Sequence, residues 1–218
     1  MAKDKTVSQA EKDGLQKVYE ALADGRPARE VLPSLSAEEA ADVGRLGLLT
    51  GMKVIYAANV GDAELATGNA FVEKVRTVAA KEGAGVVVVS AQVEAELVEL
   101  ALEDRREFLE SLGVTEESCG LRALVKATYD LLGLQTYFTT GPKETRAWTI
   151  RKGSTAPQAA GVIHTDFERG FIRAETMSYD DLVALGSEKA VKDAGKLRSE
   201  GKEYVCQEGD VMLFRFNV

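Results

Sequence analysis

The chain has 218 residues, 45% of them hydrophobic, and a formal net charge of −8. That composition describes a folded protein and not a disordered one. No stretch approaches the ~20 uninterrupted apolar residues of a membrane span, and the acidic balance disfavours a general nucleic-acid footprint while leaving room for a local basic patch. Two distant cysteines, Cys119 and Cys206, and a single histidine, His164, fall short of a zinc site and read as reduced thiols in a cytosolic-type compartment. The polar start, Met1 to Lys5, has no apolar stretch behind it, so no secretory signal is expected.

The first fifty residues read as helical. Gln9 to Ala23 carries Leu15, Val18, Tyr19 and Leu22 at helical spacing, and Gly25 and Pro27 stop it. Ser36-Ala37-Glu38-Glu39 has the spacing of a capping box, which predicts a helix running to about Leu49 with Val43, Leu46 and Leu49 on one face. Two short helices make a poor core, so this stretch reads as part of an arm.

An α/β pattern follows. Lys53 to Asn59 and Gly85 to Ser90 are short apolar runs that predict buried strands, with a helix over Phe71 to Glu82 between them. Helices are predicted over Val93–Leu100, Asp104–Leu112 and Leu121–Leu132. Strand–helix–strand with short loops predicts parallel strands. Two strands are too few for a doubly wound sheet, so the remainder has to come from elsewhere.

After Gly133 the texture turns β-rich. Strands are predicted over Leu134–Thr140, Thr145–Ile150, Phe171–Met177, Tyr204–Cys206 and Val211–Phe216, with helices over Pro157–Val162, Tyr179–Leu185 and Ser187–Ala194. Several strands around one or two helices in so short a stretch predict a compact α+β domain of β-grasp type.

Among chemical motifs, the sequence contains no GxxxxGK[ST], GxGxxG after a strand, GxSxG or HExxH. The loop amides, Lys and Ser/Thr that hold phosphates and Mg²⁺ in a P-loop enzyme therefore cannot be built from it. Asn59-Val60-Gly61-Asp62 follows the first strand directly, and Ser90-Ala91 ends the second. The C-terminal ends of parallel strands are where α/β proteins hold ligands: there Asn59 can fix a base or a neighbouring loop, and Asp62 can accept from a purine edge. The same residues also make a plain turn and a plain N-cap. In His164-Thr165-Asp166-Phe167-Glu168, Thr165 and Glu168 have capping-box spacing, which leaves His164 as a structural hydrogen-bonder. Asp180 and Asp181 read as capping or solvated carboxylates. Lys143, Arg146, Arg151, Lys152, Arg169 and Arg173, with Trp148 among them, either alternate onto one anion-binding face or are ordinary surface charge.

Several strings carry a family resemblance: Leu134 to Gly141 (LQTYFTTG), Arg146 to Ile150 (RAWTI), Ala156 to Gly161 (APQAAG), Ile163 to Phe171 (IHTDFERGF), and the tail Gly209 to Val218. Upstream, Tyr56 to Val60 (YAANV), Ser90-Ala91 with Glu94 to Leu97, and Gly25 to Arg29 (GRPAR) extend it. Together they resemble the C-terminal part of the YchF, or Obg-like, ATPase family.

The resemblance implies an α/β plus α+β chain. A helical arm remnant (1–50) leads into the C-terminal part of a nucleotide-binding domain with a partial P-loop-NTPase-type sheet (51–133). A β-grasp, ubiquitin-like TGS domain (134–218) follows. It implies a nucleotide-base site at Asn59, Val60, Asp62, Ser90 and Ala91, and a TGS surface to which Lys143, Arg146, Arg151, His164, Arg169 and Arg173 are candidates. For the full-length family it implies ATP with Mg²⁺, and association with the ribosome or ribosomal RNA in the cytoplasm, without membrane or DNA. Val60 fits the family's apolar residue at that place. Asp62 stands where the family carries Glu and is the shorter acid that guanine readers use, so GTP is expected as a possible nucleotide beside ATP. The chain alone is expected to bind nucleotide weakly and not to hydrolyse it. Alternatively it is a non-catalytic TGS module contacting ribosome or RNA, or a protein whose strand edge beside Val86–Val89 leaves it prone to aggregate.

Overall fold

The computed structural model describes residues 8–115, 120–141 and 144–217. Cys119, Pro142 and Lys143 lie outside the described residues. The chain divides into two compact units, residues 1–127 and 128–218.

The first unit opens with α1 (Gln9–Ala23), capped by Ser8, whose hydroxyl accepts the Glu11 N–H at 3.1 Å. Only part of its apolar stripe is used: Val18 is buried, whereas Tyr19 is 68% exposed. α2 (Ala37–Gly44) begins on the expected box, with Glu39 N–H to Ser36 Oγ at 3.3 Å and Ser36 N–H to Glu39 Oε2 at 2.7 Å. It ends five residues earlier than the spacing predicts. Gly44 closes it, and Gly47 sits at φ +60°, a conformation that suits glycine. Leu46 and Leu49 consequently point away from the face that buries Val43 and are exposed. The two helices have a small core of their own, in which Val18, Ala28 and Val43 meet Val31, Leu32, Leu35 and Leu48.

β1 (Ile55–Asn59) and β2 (Gly85–Val89) pair in parallel, with Ile55 opposite Gly85 and Asn59 opposite Val89. α3 (Ala70–Glu82) crosses between them. It is capped by Asn69, which accepts from Phe71 and Val72, and is stopped by Gly83 at φ +64°. α4 (Ala91–Glu99), α5 (Leu102–Ser111) and α6 (Gly120–Leu132) follow. Val60, Leu65, Val72, Val93, Leu109 and Val114 form the core beneath the strand ends.

The second unit is built on a five-stranded sheet of order β4-β3-β7-β5-β6. These strands are β3 (Leu134–Thr140), β4 (Thr145–Arg151), β5 (Phe171–Ser178), β6 (Arg198–Glu200) and β7 (Asp210–Phe216). β3 and β7 run parallel at the centre, and the other neighbours are antiparallel. α7 (Ala156–Ile163) presents Ala156, Ala159 and Ala160 to one sheet face, and Tyr137 donates to the Ala159 carbonyl at 2.9 Å. Small residues let the helix approach closely over Tyr137, Ile150, Phe171, Met212 and Phe214. A second cluster, Met177, Val191 and Val211 with Phe138, Leu182 and Leu197, brings in α9 (Tyr179–Leu185) and α10 (Glu188–Asp193).

Three local expectations are corrected. Tyr204–Cys206 is not a strand. Val205 makes one isolated bridge to Thr155, flanked by Ala156 N–H to Tyr204 O and Cys206 N–H to Ser154 O, because the segment closes against the start of α7 and not along a sheet edge. The remaining strand is β6, whose polar residues Arg198, Ser199 and Glu200 carry no apolar signal. Finally, α8 (Thr165–Arg169) is capped by His164, whose Nδ1 accepts the Asp166 N–H at 3.2 Å, and not by Thr165, which is already helical.

Candidate functional site

Because β1 and β2 are parallel, their C-terminal ends lie side by side, and the polar residues that follow each strand converge. Asn59 Oδ1 accepts the N–H of Ala91, the first residue of α4, at 3.0 Å. Val60 extends the ladder by one bond, its N–H reaching Val89 O at 2.9 Å, and its side chain is buried in the core below. Ser90 is fully buried, and its hydroxyl accepts from the Val93 N–H at 3.4 Å to cap α4. Asp62 is exposed, and its Oδ1 accepts the adjacent Ala63 N–H at 2.8 Å. Behind it, Glu64 accepts from Asn69 Nδ2 at 2.9 Å, tying the loop to the cap of α3.

All five residues expected at this place thus occupy one region, in different roles. Val60 and Ser90 are internal. The Asn59 carbonyl and the Ala91 N–H satisfy each other. The Asn59 amide nitrogen and the second Asp62 oxygen have no partner among the described residues. One donor and one anionic acceptor at the strand ends match the kind of edge that a purine presents. The parallel pairing, the cap and the tether have already fixed the loops that carry them.

The neighbouring support was not legible in the sequence. Glu82, at the last position of α3, faces a helix C-terminus that disfavours negative charge. Its Oε2 accepts from Arg29 Nη2 and from the Tyr56 hydroxyl, both at 2.8 Å. The Arg29 bond, and then the Tyr56 bond, hold its carboxyl below the usual range, and the same carboxylate pushes the Tyr56 phenol up. Strand β1 is thereby pinned to the short turn that contains Arg29 (Ala28–Glu30).

In the second unit the basic residues do not share a face. Arg146 and Trp148 alternate onto the side of β4 that buries Ile150, and Arg151 leaves from the other side. The Arg146 guanidinium lies 4.3 Å from the centre of the Trp148 ring. Arg169 ends α8, and exposed His164 starts it. Arg173 Nη2 lies 3.2 Å from Glu175 Oε1, and Arg215, which pattern reading missed, lies 2.9 Å from Glu175 Oε2. Lys152 pairs with Asp130 at 2.6 Å. Asp181 accepts from Ser178 and pairs with Lys196, and the Lys196 bond holds its carboxyl low.

No helix among the described residues is long and apolar enough to cross a membrane. The sequence model of the family YchF-GTPase_C, described as "Protein of unknown function (DUF933)", matches residues 134–217. The chain is 52% identical over 206 residues to the ribosome-binding ATPase YchF of Bacillus subtilis (strain 168), covering 94% of this chain and 55% of that one. It is 44% identical over 173 residues to Obg-like ATPase 1 of Rattus norvegicus, covering 78% and 43%. Among solved structures, the Schizosaccharomyces pombe YchF GTPase superposes with a TM-score of 0.78 at 35% identity, covering 94% of this chain and 54% of that one. A GTP-binding protein from Pyrococcus horikoshii OT3, at 20% identity and a TM-score of 0.56 over 95% and 64%, shares the fold. The chain spans about half the length of the curated relatives it matches. These likenesses fit a C-terminal fragment of the YchF family.

Proposed function

We propose that the chain is the C-terminal region of a ribosome-associated, ATP-binding and ATP-hydrolysing Obg-like ATPase of the cytoplasm. In this reading residues 1–50 are an arm remnant. Residues 51–133 are the C-terminal part of the nucleotide-binding domain, with its partial P-loop-type sheet, and 134–218 are a TGS domain of β-grasp type. The observation that carries the reading is the tether between Asn59 and Ala91, which leaves the Asn59 amide nitrogen, and beside it the second Asp62 oxygen, without a partner among the described residues at adjoining strand ends. Those two groups would meet the base of ATP, or of GTP. Val60, Ser90 and Ala91 shape the loops around it.

Phosphates make the strongest charge-assisted contacts in such a site, and these residues supply no phosphate loop and no Mg²⁺ ligand. The chain alone is therefore read as a weak nucleotide binder without hydrolysis. Calorimetric titration with ATP and separately with GTP, each with Mg²⁺, tests this. No heat, or binding weaker than about 100 μM, is expected. Saturable tighter binding would overturn the account of a site holding only the base, and a preference for GTP would point to Asp62.

A second reading makes the chain a non-catalytic binding module whose TGS domain engages ribosome or RNA. The cationic residues Arg146, Arg151 and Arg169, which have no carboxylate partner among the described residues, favour it. Nucleotide-independent co-sedimentation with ribosomes is its test.

A further inference from the structure

Resting on the ribosome reading above, we propose that Arg146 and Trp148 form a stacking shelf for an unpaired nucleobase, so that single-stranded RNA is the ligand of the second unit. The two residues stand two apart on β4, and their side chains therefore leave the same face. The guanidinium carbon lies 4.3 Å from the ring centre, within the range of a cation held over a π face. The ring is fixed in its turn: Trp148 Nε1 donates to Thr139 Oγ1 at 2.9 Å, and the indole packs on the core of the unit.

Two observations separate this pair from an ordinary surface arginine. Arg173, Arg198 and Arg215 each reach a carboxylate, Glu175 or Asp210, whereas Arg146 has neither a carboxylate nor a hydrogen-bond partner among the described residues. Its N–H groups and its outer face are unused. In addition, β4 is an edge strand, so no neighbouring strand of the sheet blocks approach from that side.

A planar cation lying on an indole extends the flat surface outward by one layer. Nucleobases stack on arginine planes as they do on aromatic rings, and the phosphate beside the base accepts from the free N–H groups. A carboxylate of a protein partner would use the N–H groups but not the flat face. A duplex offers phosphates but keeps its bases stacked inside. Only an unpaired base with its phosphate uses both features.

Trp148 is the single tryptophan of the chain, so its fluorescence reports on this shelf alone. Titration of the whole chain at low salt with a single-stranded RNA of about 12 nucleotides is expected to give saturable quenching. Arg146→Ala should weaken it about tenfold, Arg146→Lys should weaken it less, and Lys189→Ala on α10 should leave it unchanged. Four outcomes overturn the shelf: no quenching by the single strand, equal quenching by the matched duplex, equal quenching by an acidic peptide or a free mononucleotide, or undiminished affinity in Arg146→Ala. Ribosome pelleting separates the two readings. If wild type pellets while RNA does not quench Trp148, the shelf is lost and the ribosome reading stands. If wild type fails to pellet while RNA still quenches Trp148, only the ribosome reading is lost.

Discussion

Asn59 Oδ1 accepts the Ala91 backbone N–H at 3.0 Å across 32 positions of sequence. One amide side chain thereby joins the end of β1 to the start of α4, and its own nitrogen stays free. Asn59→Ala removes both functions, whereas Asn59→Asp keeps the acceptor and removes the donor. Asn59→Ala should lower stability by about 1 kcal/mol and speed hydrogen exchange at Ala91. Asn59→Asp should leave the Ala91 exchange rate near wild type. Equal loss of protection in both variants would show that the tether is not what orders the loop.

A glycine sets a second, steric constraint. A Cβ on Gly170 would stand 2.0 Å from the backbone oxygen of Asn217, while one on Gly44 meets nothing within 4 Å. Gly170 lies between α8 and β5, and its own oxygen accepts the Asn217 N–H at 2.9 Å, so neither strand end has room to withdraw. Gly170→Ala should cost about 1–3 kcal/mol through forced backbone movement. Gly44→Ala, at the end of α2, should stabilise by about 0.5–1 kcal/mol. Urea midpoints of the two variants should move in opposite directions.

Much of this architecture was legible because polar punctuation follows apolar runs. Asn59 and Ser90 each end a short apolar strand, and Ser36 with Glu39 marks a helix start at the residue. What stayed hidden depended on contacts remote in sequence. β6 has no apolar pattern, since it is an edge strand held by backbone bonds to β5. His164 displaces Thr165 as the cap because an imidazole nitrogen accepts as well as a hydroxyl does. The basic residues were legible as a set but not as faces. Period-two alternation separates Arg146 from Arg151 only once the strand, predicted to stop at Ile150, is known to run on to Arg151. Arg29 and Glu82, 53 positions apart, give no local signal at all.

That ion pair has a pH signature. Glu82 is depressed below its ordinary carboxylate value of 4.5, chiefly by the Arg29 bond. The folded state therefore holds the anion better than the unfolded chain does. Its stabilising contribution is present above pH 4.5 and is lost as pH falls through the lower folded value. Arg29→Ala should flatten the dependence of stability on pH below 4.5. An unchanged acid profile in that variant would show that Arg29 does not hold the carboxylate.

On the alkaline side the second unit carries the opposite sign. Burial, and then the Asp210 hydrogen bond, push the Tyr204 phenol up to about 12 from 10.0, and burial pushes the Cys206 thiol up to about 12 from 9.0. Both groups keep their protons longer in the folded state than in the unfolded chain. The stability they contribute is complete below pH 9 and is lost as pH rises towards 12. Asp210 is 3% exposed and accepts from Tyr204 at 2.7 Å, Gln207 N–H at 2.8 Å and Arg198 at 3.2 Å. Asp210→Ala leaves those donors unmet and should cost about 3 kcal/mol. In a Cys119→Ser background, the Cys206 thiol should resist a thiol reagent at pH 8 and become reactive only on unfolding. Rapid labelling of the folded chain at that pH would mean that the Cys206 pocket opens without global unfolding, and that the thiol is not held by burial.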